Sequence, residues 1–290
     1  MSDHIEELNN ATAEVQAEEG NHEVSHEATL FAEPVARIGN FTVTNSLIMS
    51  WVAVFILVIF FSALSKKKNL VPRGIQNVFE ILLEKAIEMA DSVTGSRKKT
   101  EKFLPIALTL FLFVLVNNWL GLLPGVGTIG VIEVHEGKQV FVPFFRGATA
   151  DINTTLALAL FAVIGSHVMG VLTIGVWHHF NKFINIKSIM AIPSKIREDF
   201  AIILVNPIKA FVGIVEIIGE VAKIASLSFR LFGNIFAGEV LLASMMALFA
   251  FLLPLPFIFL EIIVGIIQAL IFAMLTLVFM TIATEAHEEH

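Results

Sequence analysis

The sequence predicts an all-α, polytopic membrane protein with about five transmembrane helices and one amphipathic surface helix, the last two spans being long and strongly tilted as a hairpin. Of the 290 residues, 56% are apolar and 16% charged, where an ordinary soluble protein carries about a quarter charged residues; the mean hydropathy is +0.80. Most apolar residues fall in blocks of about 20 or more, each sufficient to cross roughly 30 Å of hydrocarbon. Basic residues collect between particular blocks and are nearly missing between others, as the orientation of a membrane protein requires.

The first 45 residues read as an acidic extracytoplasmic arm, because nine acidic residues (Asp3, Glu6, Glu7, Glu14, Glu18, Glu19, Glu23, Glu27 and Glu33) fall within the first 33. Without them the formal charge of -7 disappears and the body is roughly neutral. A cleavable signal peptide would open with basic residues followed by an apolar run. This arm has neither before Leu47 and is expected to be a retained, mobile tail. Residues 46–290 then form a single membrane domain.

The first span runs from about Leu47 to Leu64 and stops at Lys66, Lys67 and Lys68. Residues 75–91 place Ile75, Val78, Phe79, Leu82, Leu83, Ala86, Ile87 and Ala90 at helical spacing around Glu80, Glu84 and Lys85, too polar to span, and predict a surface helix. Phe103 to Leu123 is a second span, interrupted by Asn117 and Asn118. The Gly-rich, β-branched loop at 124–150 has the composition of a short hairpin. Ile152 to Val176 is a third span, closed by Trp177, His178 and His179 at an interface. Pro207 to Leu253 offers about 44 helical residues, or roughly 66 Å at 1.5 Å per residue. No proline interrupts it, and Gly233-Asn234 is its only internal turn signal, so a single steeply tilted helix is predicted. Pro254-Leu255-Pro256 makes the reversal, and Phe257 to Ala283 returns.

Nine basic residues lie in 65–103 and five in 177–209, against Arg37, Lys138 and Arg146 on the opposite side. The positive-inside rule therefore places the N-terminus outside and the C-terminus in the cytoplasm after five crossings.

Ionisable groups at membrane depth are functional candidates, since an Arg near a helix centre costs roughly 2.5 to 3.5 kcal/mol on insertion scales. The long helix holds Glu216, Glu220, Lys223, Arg230 and Glu239. At about 100° per residue, Glu216, Lys223, Arg230 and Asn234 lie within about 80° of one another, whereas Glu239 projects opposite Arg230. On the return helix, Glu261 and Gln268 share a face, with Gly265 between them to admit a neighbouring backbone, and are expected to face the long helix. Glu220 and Lys223 read as an internal ion pair. Arg230 keeps its proton at any physiological pH and acts only as a fixed charge in search of an anion. Glu239 and Glu261 are able to load and unload protons, or alternatively serve as static countercharges for Arg230. His167 reads as a packed, hydrogen-bonded histidine rather than a relay, and His22 and His26 as no more than surface residues.

Several classes are excluded. The absence of cysteine removes disulfides, thiolate metal sites and cysteine nucleophiles. No phosphate-binding G-x-x-x-x-G-K-[ST] is present, and His287-Glu288-Glu289-His290 is one residue short of H-E-x-x-H. No cofactor, metal or nucleic-acid partner is expected.

The run Ser226-Leu-Ser-Phe-Arg230-Leu-Phe-Gly-Asn234-Ile-Phe-Ala-Gly-Glu239 closely resembles subunit a of F-type ATP synthases. The likeness continues through Glu261-Ile-Ile-Val-Gly-Ile-Ile-Gln268-Ala-Leu-Ile-Phe and Thr284-Glu285-Ala286-His287, and more weakly at Ala150-Asp151-Ile-Asn153-Thr-Thr. The resemblance implies a non-catalytic stator subunit of the Fo sector in the bacterial plasma membrane. Its partners would be the ring of c subunits, the peripheral-stalk b subunits, the remainder of the complex and the lipid bilayer. Arg230 would attract the carboxylate of each passing c subunit, hold it ionised and block leakage between two half-channels. Glu239, Glu261 and Gln268 would correspond to the outer access path, and Asn234 and Ser226 to the polar lining near the arginine. Asp151 becomes a candidate at the outer mouth and Glu216 a candidate for the inner path. Many family members carry histidine at one of the positions held here by Glu239 and Glu261, which leaves the order of proton hops open. The competing reading is a self-contained ion-coupled transporter or channel, which inverted internal repeats would support; none is found in the sequence.

Overall fold

The structure is a computed structural model and describes residues 29–66, 74–135, 138–179, 202–249 and 252–285. Its elements in chain order are a hairpin of β1 (Pro34–Ile38) and β2 (Phe41–Thr44), α1 (Asn45–Lys66), α2 (Ile75–Thr94) and α3 (Arg97–Gly121). A second hairpin of β3 (Gly130–His135) and β4 (Lys138–Pro143) follows, then α4 (Ile152–Ile174), α5 (Ile202–Leu248) and α6 (Pro254–Thr284). Among the described residues, five helices (α1, α3, α4, α5 and α6) are long and apolar enough to cross a membrane. The protein is a multi-pass, all-α membrane protein, as the sequence predicts.

In lipid, helices gain little from burying apolar side chains against one another, so packing is set by close fit and by polar contacts. Small residues supply the fit here. Ala159 and Ala162 of α4 and Ala269 of α6 meet Leu110 and Val114 of α3, Leu227 and Leu231 of α5, and Phe272 of α6. A second cluster joins Ala90 of α2 to Phe103 and Ala107 of α3, Met169 of α4, and Leu277 and Met280 of α6. Helix α6 is thus central, packed along α3, α4 and α5. By contrast α1 exposes Val54, Phe55, Val58 and Ile59, a lipid-facing surface.

The surface helix α2 stops where Gly95 adopts φ +64°, its N–H donating to the Asp91 carbonyl. At this corner the Thr94 and Thr100 hydroxyls pair at 2.6 Å and Arg97 donates to Asp91 at 3.0 Å. The Thr100 hydroxyl, with the Arg97 guanidinium, holds the Asp91 carboxyl below its ordinary range. The corner therefore keeps this contribution above the unfolded carboxylate's value and loses it as the pH falls through the lowered one.

The asparagines that interrupt the second span act as anchors. Asn118 donates to the Gly265 carbonyl at 3.1 Å and accepts from the Thr149 hydroxyl at 2.7 Å, while the Trp119 indole donates to the Ile262 carbonyl at 3.3 Å. A Cβ at Gly265 would come within 3.2 Å of the Asn118 Cβ. The neighbouring backbone that Gly265 admits is consequently that of α3.

Three further differences concern ends and loops. The long helix begins before Pro207 and continues past Gly233-Asn234 without a turn, so the single-helix expectation holds with a shifted start. Helix α6 begins at Pro254 instead of Phe257, since Pro at the first helical position forfeits no hydrogen bond. Residues 29–44 of the arm, expected to be mobile, are docked: Ala32 N–H donates to Asp151, Glu33 and Asn45 exchange hydrogen bonds, and the Asn45 amide donates to the Pro143 carbonyl.

Replacing Asn118 by Leu should leave the buried Gly265 carbonyl and Thr149 hydroxyl without partners, at a cost of about 1 to 3 kcal/mol each. Thermal inactivation of the detergent-solubilised protein is expected at a clearly lower temperature, whereas Thr109→Val on the exposed face of α3 should leave it unchanged.

Candidate functional site

Helix α5 is rotated so that Leu227 and Leu231 are 2% and 1% exposed, which turns Ser226, Phe229, Arg230, Gly233, Asn234 and Ala237 outward. Steps of three and four residues put these on one stripe. Its residues are small or polar apart from Phe229. The Arg230 guanidinium donates to Ser226 Oγ at 3.3 Å, and among the described residues no carboxylate pairs with it. Gln268 borders it across a narrow cleft with Ile271 and Phe272 of α6. A charge that costs several kcal/mol at membrane depth is therefore left facing outward with a weak neutral contact.

Glu239 lies half a helical turn around from Arg230 and is not its countercharge. Arg146, in the connection between β4 and α4, holds it. Arg146 Nε donates to both Glu239 carboxylate oxygens at 3.1 and 3.3 Å, and Nη2 donates at 3.0 Å. The remaining donors bind the arm: Nη1 reaches the Thr29 hydroxyl and the Phe31 carbonyl, and Nη2 the Thr29 carbonyl. Arg146 is 5% exposed whereas Glu239 is 37% exposed, so the carboxylate keeps contact with its surroundings while the guanidinium is enclosed. This use of Arg146 was hidden from the sequence, where it counted only as one of three outer basic residues; its partner is 93 positions away.

Glu261 is 7% exposed and has no hydrogen bond or ion pair among the described residues. Its carboxyl group rests directly on Gly238, where any Cβ would collide with it. Gly238 and Glu239 are consecutive, so Glu239 and Glu261 flank one another at the same level of α5. Gln268 follows Glu261 along α6 toward Arg230, and these two residues do face the long helix as expected. Asp151 is 3% exposed and held by several hydrogen bonds. It caps α4 by accepting from Asn153 N–H at 3.2 Å and also accepts from Thr154, Ser46 and Ala32 N–H at 2.9, 3.1 and 3.3 Å, which ties arm, α1 and α4 together.

On the N-terminal side of Arg230, near the middle of α5, Lys223 donates to Glu220 at 2.7 Å and His167 Nε2 lies 3.3 Å from the second Glu220 oxygen. The Lys223 ammonium also sits 5.2 Å from the centre of the Phe279 ring. Glu216 is half-buried and lines a cavity of about 150 Å³ together with Ser166, His167, His179, Glu220 and Lys223. No group of three or more histidines and carboxylates able to hold a metal occurs among the described residues.

The fold and these residues define a polytopic membrane protein whose long penultimate helix carries an outward arginine between two separate sets of acidic groups. Residues 47–281 match the family described as ATP synthase A chain. The chain is 32% identical over 254 residues to ATP synthase subunit a of Syntrophobacter fumaroxidans, covering 87% of this chain and 90% of that protein. It is likewise 32% identical over 239 residues to ATP synthase subunit a of Campylobacter concisus, covering 82% and 88% of the two chains. The chain belongs to the ATP synthase subunit a family, a component of the Fo membrane sector.

Replacing Arg146 by Ala leaves Glu239 without its cation and frees the Thr29 and Phe31 carbonyls. Because Glu239 is partly exposed, the cost falls below about 3 to 5 kcal/mol, the value for truncating a fully buried pair. Limited proteolysis should then cut within the arm near residue 30, while Arg37→Ala, on an exposed strand, should not change the cleavage pattern.

Proposed function

We propose that this chain is the stator that offers two proton half-channels to a rotating ring of c subunits, with Arg230 as the fixed charge between them. The observation that carries this reading is the outward-facing guanidinium of Arg230, which has no acid of its own among the described residues. A carboxylate on each passing c subunit would be the missing anion. Beside Arg230 that carboxylate is held ionised, because a nearby opposite charge favours the charged form. It sheds its proton on one side of the arginine and reloads on the other, and the same fixed charge opposes direct passage of protons between the two sides.

In this scheme Glu239, Glu261 and Gln268 form the outer access path, Asn234 and Ser226 line the approach to the arginine, and Glu216 belongs to the inner path. Arg230 and Glu239 are separated by about 13.5 Å along α5, and Arg230 and Glu216 by about 21 Å on the opposite side. The two paths are thereby offset along one helix. Asp151 positions the outer wall through its cap and its bond to Ser46. The chain itself performs no ATP chemistry; it works with the c ring, the b subunits and the rest of the complex, in a bacterial plasma membrane with its N-terminus outside and its C-terminus in the cytoplasm. Small residues on the Arg230 stripe support a close helix approach.

The experiment is ATP-driven acidification and proton-driven ATP synthesis in membrane vesicles. Arg230→Ala should abolish both, and the joint replacement of Glu239 and Glu261 by Gln should reduce both by at least about 100-fold, the lower end of what a positioned proton-transfer group contributes. Normal pumping by the double variant would remove these carboxylates from the path. Transport by the chain purified alone would favour an independent transporter.

A further inference from the structure

Arg146 divides its hydrogen bonds between two neighbours and keeps none in reserve. An arginine side chain has five N–H donors. The Nε hydrogen and one Nη2 hydrogen go to the Glu239 carboxylate. The other Nη2 hydrogen goes to the Thr29 carbonyl, and the two on Nη1 go to the Thr29 hydroxyl and the Phe31 carbonyl. The guanidinium therefore cannot turn without breaking bonds on both sides, and its enclosure in the protein leaves little room for water as a substitute.

The arm segment is shaped as the other half of this clamp. The Thr29 hydroxyl that accepts from Nη1 also donates to the Phe31 carbonyl at 2.8 Å, so three arm oxygens converge on one cation. Leu30 and Phe31 turn their side chains outward, and the contact is made by backbone and one hydroxyl. The segment is also fastened independently of the arginine. Ile152 N–H donates to the Leu30 carbonyl at 3.4 Å, Ala32 N–H to Asp151 at 3.3 Å and Glu33 N–H to Asn45 at 3.2 Å. Holding the arm down thus does not require Arg146. What Arg146 adds is a fixed direction for Glu239.

The two acids on this side of Arg230 are held in opposite ways. A carboxylate offers about four lone-pair sites, and the contacts from Arg146 to Glu239 occupy three of them. The Glu261 carboxyl rests against Gly238 with no hydrogen bond or ion pair among the described residues, so its oxygens remain available. Gly238 and Glu239 are consecutive, which sets both acids at the same level of α5. Released from Arg146, Glu239 becomes a second, loose negative charge beside Glu261.

We propose that Arg146, locked by residues 29–31 of the arm, is a positioning residue of the outer access path: it fixes Glu239 as a stationary wall of that path and leaves Glu261 as the carboxylate that exchanges protons there. This inference rests on the proposed half-channel function and divides the work between its two outer acids. In each passage Glu261 takes up one proton and gives one up, returning to its starting form, while Glu239 stays in its ion pair and exchanges none.

The test uses the whole complex reconstituted in liposomes, with ATP-driven acidification normalised to assembled complex by the amount of co-purified c subunit. Glu261→Gln should lower the rate at least about 100-fold, the lower end for a positioned proton-transfer group. Glu239→Gln keeps an oxygen for Arg146 and should retain most of the rate. Arg146→Gln releases Glu239 and should slow pumping roughly 10- to 100-fold, as a misplaced group near the transfer does. Adding Glu239→Gln to Arg146→Gln should then raise the rate again, which a merely structural clamp would not do, since the arm contacts are missing from both variants. Removal of residues 2–31 takes away the arm acceptors and should slow pumping in the same direction, whereas Arg37→Ala should pump normally. If Arg146→Gln does not assemble, the comparison of Glu239→Gln with Glu261→Gln decides. Glu239→Gln as slow as Glu261→Gln, or wild-type rates in assembled Arg146→Gln or in the arm-truncated chain, beside a silent Arg230→Ala, would overturn this division of roles and leave the half-channel reading standing. A pumping Arg230→Ala would overturn that reading and this one with it.

Discussion

The structure turns on a fixed positive charge that its own chain declines to neutralise. Arginine cannot shed its proton, so burial at membrane depth offers it only two stable outcomes, a partner or a polar surface. Nearby acids are present but engaged elsewhere. Arg146 holds Glu239 from the connection between β4 and α4, and Lys223 with His167 holds Glu220 on the N-terminal side of Arg230. Burial of Leu227 and Leu231 in the bundle core then forces Arg230, three and one positions away, onto the outward stripe. The packing of α5 and the disposition of its charges are in this sense one fact.

The same arrangement separates two kinds of acidic environment. On the C-terminal side of Arg230, Glu239 is ion-paired and partly exposed while Glu261 is enclosed against Gly238 without a hydrogen bond among the described residues. The two carboxylates thus meet different surroundings, one an ion pair with Arg146 and the other the backbone at Gly238. On the N-terminal side of Arg230, the acids meet imidazoles and a polar cavity. Neither set reaches Arg230 among the described residues, and the guanidinium faces outward with Ser226 as its hydrogen-bond partner.

Much of the architecture was legible because it follows from local rules. The five spans, the surface helix and the unbroken α5 follow from block length, period and the positions of Pro207 and Pro254. The exposure of Arg230 was legible for the same reason: no carboxylate shares its face nearby. What could not be read depended on long-range pairing. Arg146 and Glu239 are 93 positions apart, the arm is docked by Asp151, 119 positions from Ala32, and by the bond of Asn45 to Pro143, 98 positions away, and Gly265 serves α3 because Asn118 is there to meet it. His179 looked like an interfacial ring until the turn at Gly175 folded it onto His167. Asp151 matched a family pattern but is saturated by cap and tertiary hydrogen bonds, which no motif discloses.

The chain contains no cysteine, which makes the central claim directly measurable by engineered disulfides. Single cysteines at Ser226, Gly233 and Ala237 would be paired, in the assembled complex, with a cysteine next to the mid-membrane carboxylate of the c subunit. The account predicts oxidative crosslinks from these outward positions and none from Ile224 or Leu231, which face the bundle. Crosslinks from the bundle face, or an Arg230 stripe that crosslinks to no c subunit while the complex is intact and pumping, would contradict it.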